Sequence, residues 1–234
     1  MARPGSPRDR LIVALDLPTV ADAEAMIGRI GDNVGVYKIG LQLVFAGGVD
    51  LARRLAGEGK AVFLDVKLLD IDNTVASAID SIVRLGVRFV TVHGYPQAMR
   101  AAVAARGDAP LNLLGVTVMT SIGEDDFAAA GYAGTISDRV VARAADARDA
   151  GMNGVVASPL EIAAVRAAVG EDMAIVTPGI RPAGADIGDQ KRIATPTDAI
   201  AAGADYLVVG RPITAAADPA VAAAAIVDEI AAAA

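Results

Sequence analysis

The chain has 234 residues, 54% of them hydrophobic, with a formal net charge of -7, one histidine and no cysteine. The missing cysteines exclude disulfides, thiolate nucleophiles and cysteine-based metal sites, and one histidine leaves no His/Cys zinc cluster. The acidic balance argues against a general electrostatic grip on nucleic acid, which needs a basic face, and no uncharged run approaches the roughly 18 residues of a membrane span.

Met1 to Arg10 is charged and proline-bearing and reads as a flexible N-terminus. Leu11 to Leu15 is too short before Asp16 to be the apolar segment of a secretory signal, so a cytoplasmic protein is expected. Leu11 to Asp16 is instead a first strand, and Thr19 with Asp22 three residues on caps a helix to about Ile30. Val34 to Ile39 is the second strand, with a helix over about Asp50 to Gly57. Val62 to Val66 is the third, its helix running from about Asn73 to Leu85, and Arg88 to Val92 is the fourth, ended by His93-Gly94. A helix follows Pro96. Leu113 to Met119 is the fifth strand, with a longer connection through Gly131 and Gly134 before a helix to about Ala150. Gly154 to Ala157 is the sixth, and Ser158-Pro159-Leu160-Glu161 reads as a capping box. Ala174 to Thr177 is the seventh, followed by a polar loop over Pro178 to Ala194 and a helix begun by Thr195. Tyr206 to Val209 is the eighth, and Asp218-Pro219 starts the last helix.

Short β-branched strands alternating with helices predict a single α/β domain over 11–234, a (β/α)8 TIM barrel. The competitor is an open doubly wound sheet, but no GxGxxG follows the first strand. Polar residues also recur at strand ends: Asp16, Lys38, Asp65, Lys67, His93, Thr120 and Arg211. That is the face on which barrel enzymes build their sites.

The third strand carries Asp65-Val66-Lys67-Leu68-Leu69-Asp70. Alternation of side chains along a strand points Asp65 and Lys67 the same way. Asp70, past the expected strand end, need not face their pocket. Lys38 and Lys67 flanking Asp65 favour the charged form of all three, which makes a lysine a proton donor rather than a Schiff-base nucleophile. Asp16 either accepts hydrogen bonds from sugar hydroxyls or caps the first helix. Loops after strands seven and eight frequently bind phosphate in barrels, and here they hold Gly179, Arg181, Gln190, Gly210 and Arg211. Glycine amides and guanidinium groups suit an anion, and Gln190 suits a lid over it. His93 reads as a structural residue, and Asp72, Asp125 and Asp126 as acids favouring helix starts.

Taken together, Asp65-x-Lys67-x-x-Asp70-Ile71-x-Asn73-Thr74, with Asp16 and Lys38 upstream and Thr177-Pro178-Gly179-Ile180-Arg181-Pro182, Gly188-Asp189-Gln190 and Val209-Gly210-Arg211-Pro212 downstream, resembles the orotidine 5'-phosphate decarboxylases of the shorter bacterial type. The resemblance runs from Leu11 to the last helix. It implies a homodimeric barrel converting orotidine 5'-monophosphate (OMP) to UMP and CO2 with no metal or organic cofactor. Lys38, Asp65, Lys67 and Asp70 would form a charged network in which Asp70, with Thr74, crosses from the neighbouring subunit. Lys67 would be the proton donor. Asp16 and Lys38 would hold ribose hydroxyls, Thr120 the pyrimidine, and Arg181, Gln190, Gly210 and Arg211 the phosphate, with Asn73 counted among the substrate-binding positions. One departure is Asp72, where that family usually has proline. Two alternatives stay open: a related barrel using Mg²⁺ on a keto-sugar phosphate, which would want a carboxylate where the second strand here ends in Tyr37-Lys38, and a non-catalytic phosphoribosyl-binding barrel.

Overall fold

The computed structural model describes residues 4–183 and 192–233. Eight parallel strands close in sequence order into a barrel: β1 (Leu11–Ala14), β2 (Val36–Gly40), β3 (Ala61–Leu68), β4 (Phe89–His93), β5 (Asn112–Val116), β6 (Gly154–Val156), β7 (Ala174–Thr177) and β8 (Tyr206–Val209). Closure runs through Leu11↔Leu207 and Ile12↔Val208. Helical segments alternate with the strands, as expected for a (β/α)8 barrel.

Strand alternation divides the apolar residues into two cores. Leu11, Val13, Tyr37, Ile39, Val62 and Leu64 face the surrounding helices, whereas Ile12, Ala14, Val36, Phe63, Phe89 and Tyr206 fill the barrel interior. Phe89 stands edge-on to Phe63 at 6.1 Å and to Tyr206 at 5.4 Å, a favourable arrangement for aromatic quadrupoles. This plug seals the N-terminal end. Two residues further along β2 and β3, on the same inward face, come Lys38 after Val36 and Asp65 after Phe63. The register places Ala14 beside Lys38 and Gly40 beside Asp65, so the charges form the layer immediately above the plug.

Helix starts follow simple capping chemistry. Thr19, Thr135 and Thr195 each accept a hydrogen bond from the backbone N–H of an aspartate three residues on, namely Asp22, Asp138 and Asp198. Each such cap contributes roughly 1 kcal/mol. Asp16 is therefore not needed as the cap of the first long helix, Val20–Ile30. Asp72 lies in the first turn of Asp72–Val83, and Asp125 and Asp126 in that of Glu124–Ala129, where their charge suits the helix dipole.

The N-terminal segment includes a short helix, Pro7–Arg10, capped by Ser6, and Arg10 donates to the carbonyls of Ala204 and Asp205. Three expectations need correction. β5 ends at Val116 rather than Met119, and the connection after it contains the helix Glu124–Ala129. Ser158 accepts from Leu160 N–H over a 3-10 turn, Pro159–Glu161, but Glu161 is turned inward to an arginine rather than back to the cap. Finally β3 runs on to Leu68 through an irregularity described below. Among the described residues no helix is long and apolar enough to cross a membrane.

Candidate active site

The C-terminal mouth of the barrel opens into a cavity of about 480 Å³. Asp16, Lys38, Asp65 and Lys67 line one side, Thr120 stands in the connection after β5, and Gly179, Arg181, Gly210 and Arg211 form the far rim. The first four form a continuous chain of opposite charges. Lys38 Nζ lies 3.0 Å from Asp16 Oδ1 and 3.5 Å from Asp65 Oδ2, and Lys67 Nζ lies 2.8 Å from Asp65 Oδ1.

Burial alone would push the Asp65 carboxyl upward, but the Lys38 and Lys67 ammonium groups, with hydrogen bonds from Lys67 and Thr91, outweigh it and hold the group below the ordinary carboxylate range. Asp65 is thus an anion at neutral pH, held between two cations. Gly40 makes room for this array. A Cβ there would stand 2.8 Å from Asp16 Oδ1 and 3.0 Å from Lys38 Nζ, so a side chain at this position would displace the ends of both groups.

Asp65 and Lys67 do meet, though not by regular alternation. Leu64 pairs with Val90 and Leu68 with Val92, so Asp65, Val66 and Lys67 stand opposite Thr91 alone. Such a bulge re-aims a side chain. Lys67 is the one non-glycine residue with positive φ among the described residues, at 49°.

At the opposite rim, Gly179 has φ 79°, and the chain leaves through Ile180 and returns through Ala194. Arg181 N–H donates to Ala194 O at 2.9 Å and Ala194 N–H to Gly179 O at 3.3 Å. Gly210 precedes a short helix that begins at Arg211. Gln190, with Gly188 and Asp189, lies outside the described residues.

Three of the sequence-predicted residues do not line this cavity. Asp70 is exposed on the segment between β3 and its helix, Asn73 and Thr74 are exposed in the first turn of that helix, and the Asp70 carboxylate accepts from its neighbour Ile71 N–H. The histidine also stays apart. His93 borders a second cavity with Tyr95, Phe127, Tyr132 and Arg143, where burial and then the Arg143 and Lys67 cations hold it below its ordinary pKa and so neutral.

The sequence reading missed a buried pair behind the far rim. Arg192 Nη1 donates to Glu161 Oε1 at 2.9 Å, and Nη2 donates to Met119 O at 3.0 Å, with both side chains under a tenth exposed. Arg192 thereby ties the returning end of the β7 loop to the segment carrying Thr120. Arg192→Met is expected to destabilise the protein by about 3 kcal/mol, because it strands the Glu161 carboxylate, and Arg192→Met with Glu161→Met should recover part of the loss. Denaturant unfolding of the three proteins checks this, and equal midpoints for parent and Arg192→Met would contradict it.

The chain resembles known proteins along almost its whole length. Residues 9–226 match the model of the Orotidine 5'-phosphate decarboxylase / HUMPS family. Relatives named orotidine 5'-phosphate decarboxylase include one from Bradyrhizobium sp. (strain ORS 278), 61% identical over 97% of this chain and 93% of its own. Another, from Methylobacterium sp. (strain 4-46), is 58% identical over 99% of both. Among solved structures, orotidine 5'-phosphate decarboxylase from Lactobacillus acidophilus superposes with a TM-score of 0.83 at 34% identity, covering 98% of this chain and 99% of that one.

Proposed function

The chain belongs to the Orotidine 5'-phosphate decarboxylase / HUMPS family, and from that membership we propose that it is a cytoplasmic enzyme of pyrimidine biosynthesis converting OMP to UMP and CO2, with Lys67 as proton donor. The observation that carries this reading is the unbroken array Asp16, Lys38, Asp65, Lys67 on one side of a cavity whose far rim bears Arg181 and Arg211. A binding site for a nucleotide alone has no use for an anion fixed between two cations beside the base. A site that must stabilise a carbanion does.

The bond from C6 to the carboxylate carbon breaks heterolytically. CO2 leaves and the electron pair stays on C6 in the ring plane. The Lys67 ammonium stabilises that pair, since a preorganised charge in a partly desolvated site needs no reorganisation during reaction. One Lys67 N–H proton then passes to C6, giving UMP and a neutral amine that solvent reprotonates. Asp65 faces the departing carboxylate and orders the two lysines. Lys38 and Asp16 take the ribose hydroxyls, Thr120 the pyrimidine, and Arg181, Gln190, Gly210 and Arg211 the phosphate, whose binding energy is available to the transition state.

The working unit in this reading is a homodimer in which Asp70 and Thr74 reach the partner's cavity, with Asn73 beside them. Supporting it, Asp70 is flanked by the apolar Leu69 and Ile71, 47% and 72% exposed, and Phe45 in the helical segment after β2 is 86% exposed. Apolar side chains gathered at one end of a molecule suit a covered surface.

The test is the ultraviolet absorbance of OMP with purified protein in excess EDTA. Conversion to UMP is the expected result. Inertness toward OMP, with Mg²⁺-dependent activity on a keto-sugar phosphate, would move the chain to the other branch of its family, although β2 ends in Tyr37-Lys38 rather than a carboxylate. UMP affinity without any turnover would make it a binding barrel.

A further inference from the structure

Thr91 occupies the interior face of β4, two residues beyond the Phe89 of the barrel plug, and is fully buried. It is not among the residues that line the cavity. Its hydroxyl nevertheless sits at the centre of the charged array. Lys67 N–H donates to Thr91 Oγ1 at 2.9 Å, and Thr91 Oγ1 donates to Asp65 Oδ1 at 2.9 Å. The direction is fixed, because an ionised carboxylate only accepts. Asp65 Oδ1 also receives Lys67 Nζ at 2.8 Å. A closed ring of hydrogen bonds therefore runs from the Lys67 backbone through Thr91 and Asp65 to the Lys67 ammonium.

The ring matters because of the bulge. Three residues of β3 stand opposite Thr91, so the Lys67 N–H has no place in the strand ladder, and a lysine at φ 49° occupies a conformation that L side chains adopt only when their surroundings impose it. A buried N–H without an acceptor is also unfavourable. The hydroxyl supplies the acceptor, and its own proton pins the neighbouring carboxylate. We infer that Thr91 is a positioning residue for the proposed decarboxylation, holding the bulged Lys67 backbone and the Asp65 carboxylate in the geometry that presents the lysine ammonium to the reacting carbon. This inference rests on the decarboxylase reading given above.

Thr91→Val keeps the branched shape and removes both hydrogen bonds, whereas Thr91→Ser keeps the hydroxyl. In OMP decarboxylation, Thr91→Val is expected to lower kcat by roughly tenfold or more while the Kd for UMP moves by less than about threefold, with Thr91→Ser staying within about threefold of the parent. The groups facing Asp65 are Lys38 from β2, Lys67 from its own strand and Thr91 from β4, with Asp16 reaching it through Lys38 and His93 further along β4. Losing the Thr91 hydrogen bond raises Asp65 toward the ordinary carboxylate range, so the acid limb of the kcat profile should move to higher pH in Thr91→Val alone. If Thr91→Val fails to fold, Thr91→Ala is read in the same assays.

Parental kcat and an unmoved acid limb in a folded variant lacking the hydroxyl would overturn the inference while leaving the decarboxylase reading intact. An equal loss in Thr91→Ser would overturn it as well, by making bulk rather than the hydroxyl the requirement. A parent protein inert toward OMP would bring down the decarboxylase reading, and this inference with it.

Discussion

Lys67→Ala is expected to lower OMP turnover by roughly a thousandfold or more while UMP affinity changes by less than about tenfold. The split follows from where the binding groups lie. Arg181, Arg211 and the glycines of the far rim are carried by β7 and β8, while Lys67 stands on β3 beside the position given to the base. In the proposed mechanism, removing it takes away a charge needed chiefly when the carbanion forms, and the proton that quenches it. The fold should survive, because Asp65 keeps Lys38 at 3.5 Å and the Thr91 hydroxyl at 2.9 Å. Acid sensitivity should change. The native Asp65 carboxyl lies below its ordinary range, so its contribution to stability is present above that range and is lost as pH falls through the lower native value. Without Lys67 that value rises, so the contribution is smaller and is exhausted at higher pH. Single-turnover kinetics, calorimetry with UMP and acid unfolding of parent and variant check all three points. Near-parental turnover in Lys67→Ala would remove Lys67 from the mechanism.

The barrel was readable because its signals are local. A period of two along each strand, a polar residue at most strand ends and Thr-x-x-Asp caps are properties of short segments, and they stated both the fold and the face that carries the cavity. Asp16, Lys38, Asp65, Lys67, Thr120, Arg181, Gly210 and Arg211, named as separate points along the chain, line one cavity. What stayed hidden depends on partners distant in sequence. Thr91 looks like an ordinary β-branched strand residue until its register opposite three residues of β3 is known. Glu161 satisfies a capping pattern, yet its carboxylate goes to Arg192, 31 residues away. Gly40 shows its purpose only when Asp16 and Lys38 are seen to converge on the space a Cβ would fill. Strand alternation reached the pairing of Asp65 with Lys67 by a regular pleat, whereas the chain makes it with a bulge. The two differ chemically, since the bulge frees a backbone N–H that recruits a fifth group to the array.

In the proposed homodimer, Asp70 should behave differently from Lys67, Asp65 and Lys38 when altered subunits are mixed. Its side chain is exposed and accepts a hydrogen bond from Ile71 N–H, and it is absent from the lining of its own chain's cavity. Asp70→Ala and Lys67→Ala homodimers should each be close to inactive. In a hybrid of the two, one cavity combines both substitutions, while the other holds the intact Lys67 of one subunit and the intact Asp70 of the other. Random reassociation of equal amounts makes half the dimers hybrids, each with one complete site, so the mixture should recover roughly a quarter of parental activity. If Asp70 served the cavity of its own chain, every site in every hybrid would lack one group, and mixing would restore nothing. Dissociation and reassociation of the two variants, followed by the OMP absorbance assay, separates these cases. Full activity in Asp70→Ala alone would take that carboxylate out of the network. The exposed Leu69 and Ile71 would then mark a contact surface that carries no catalytic group across it.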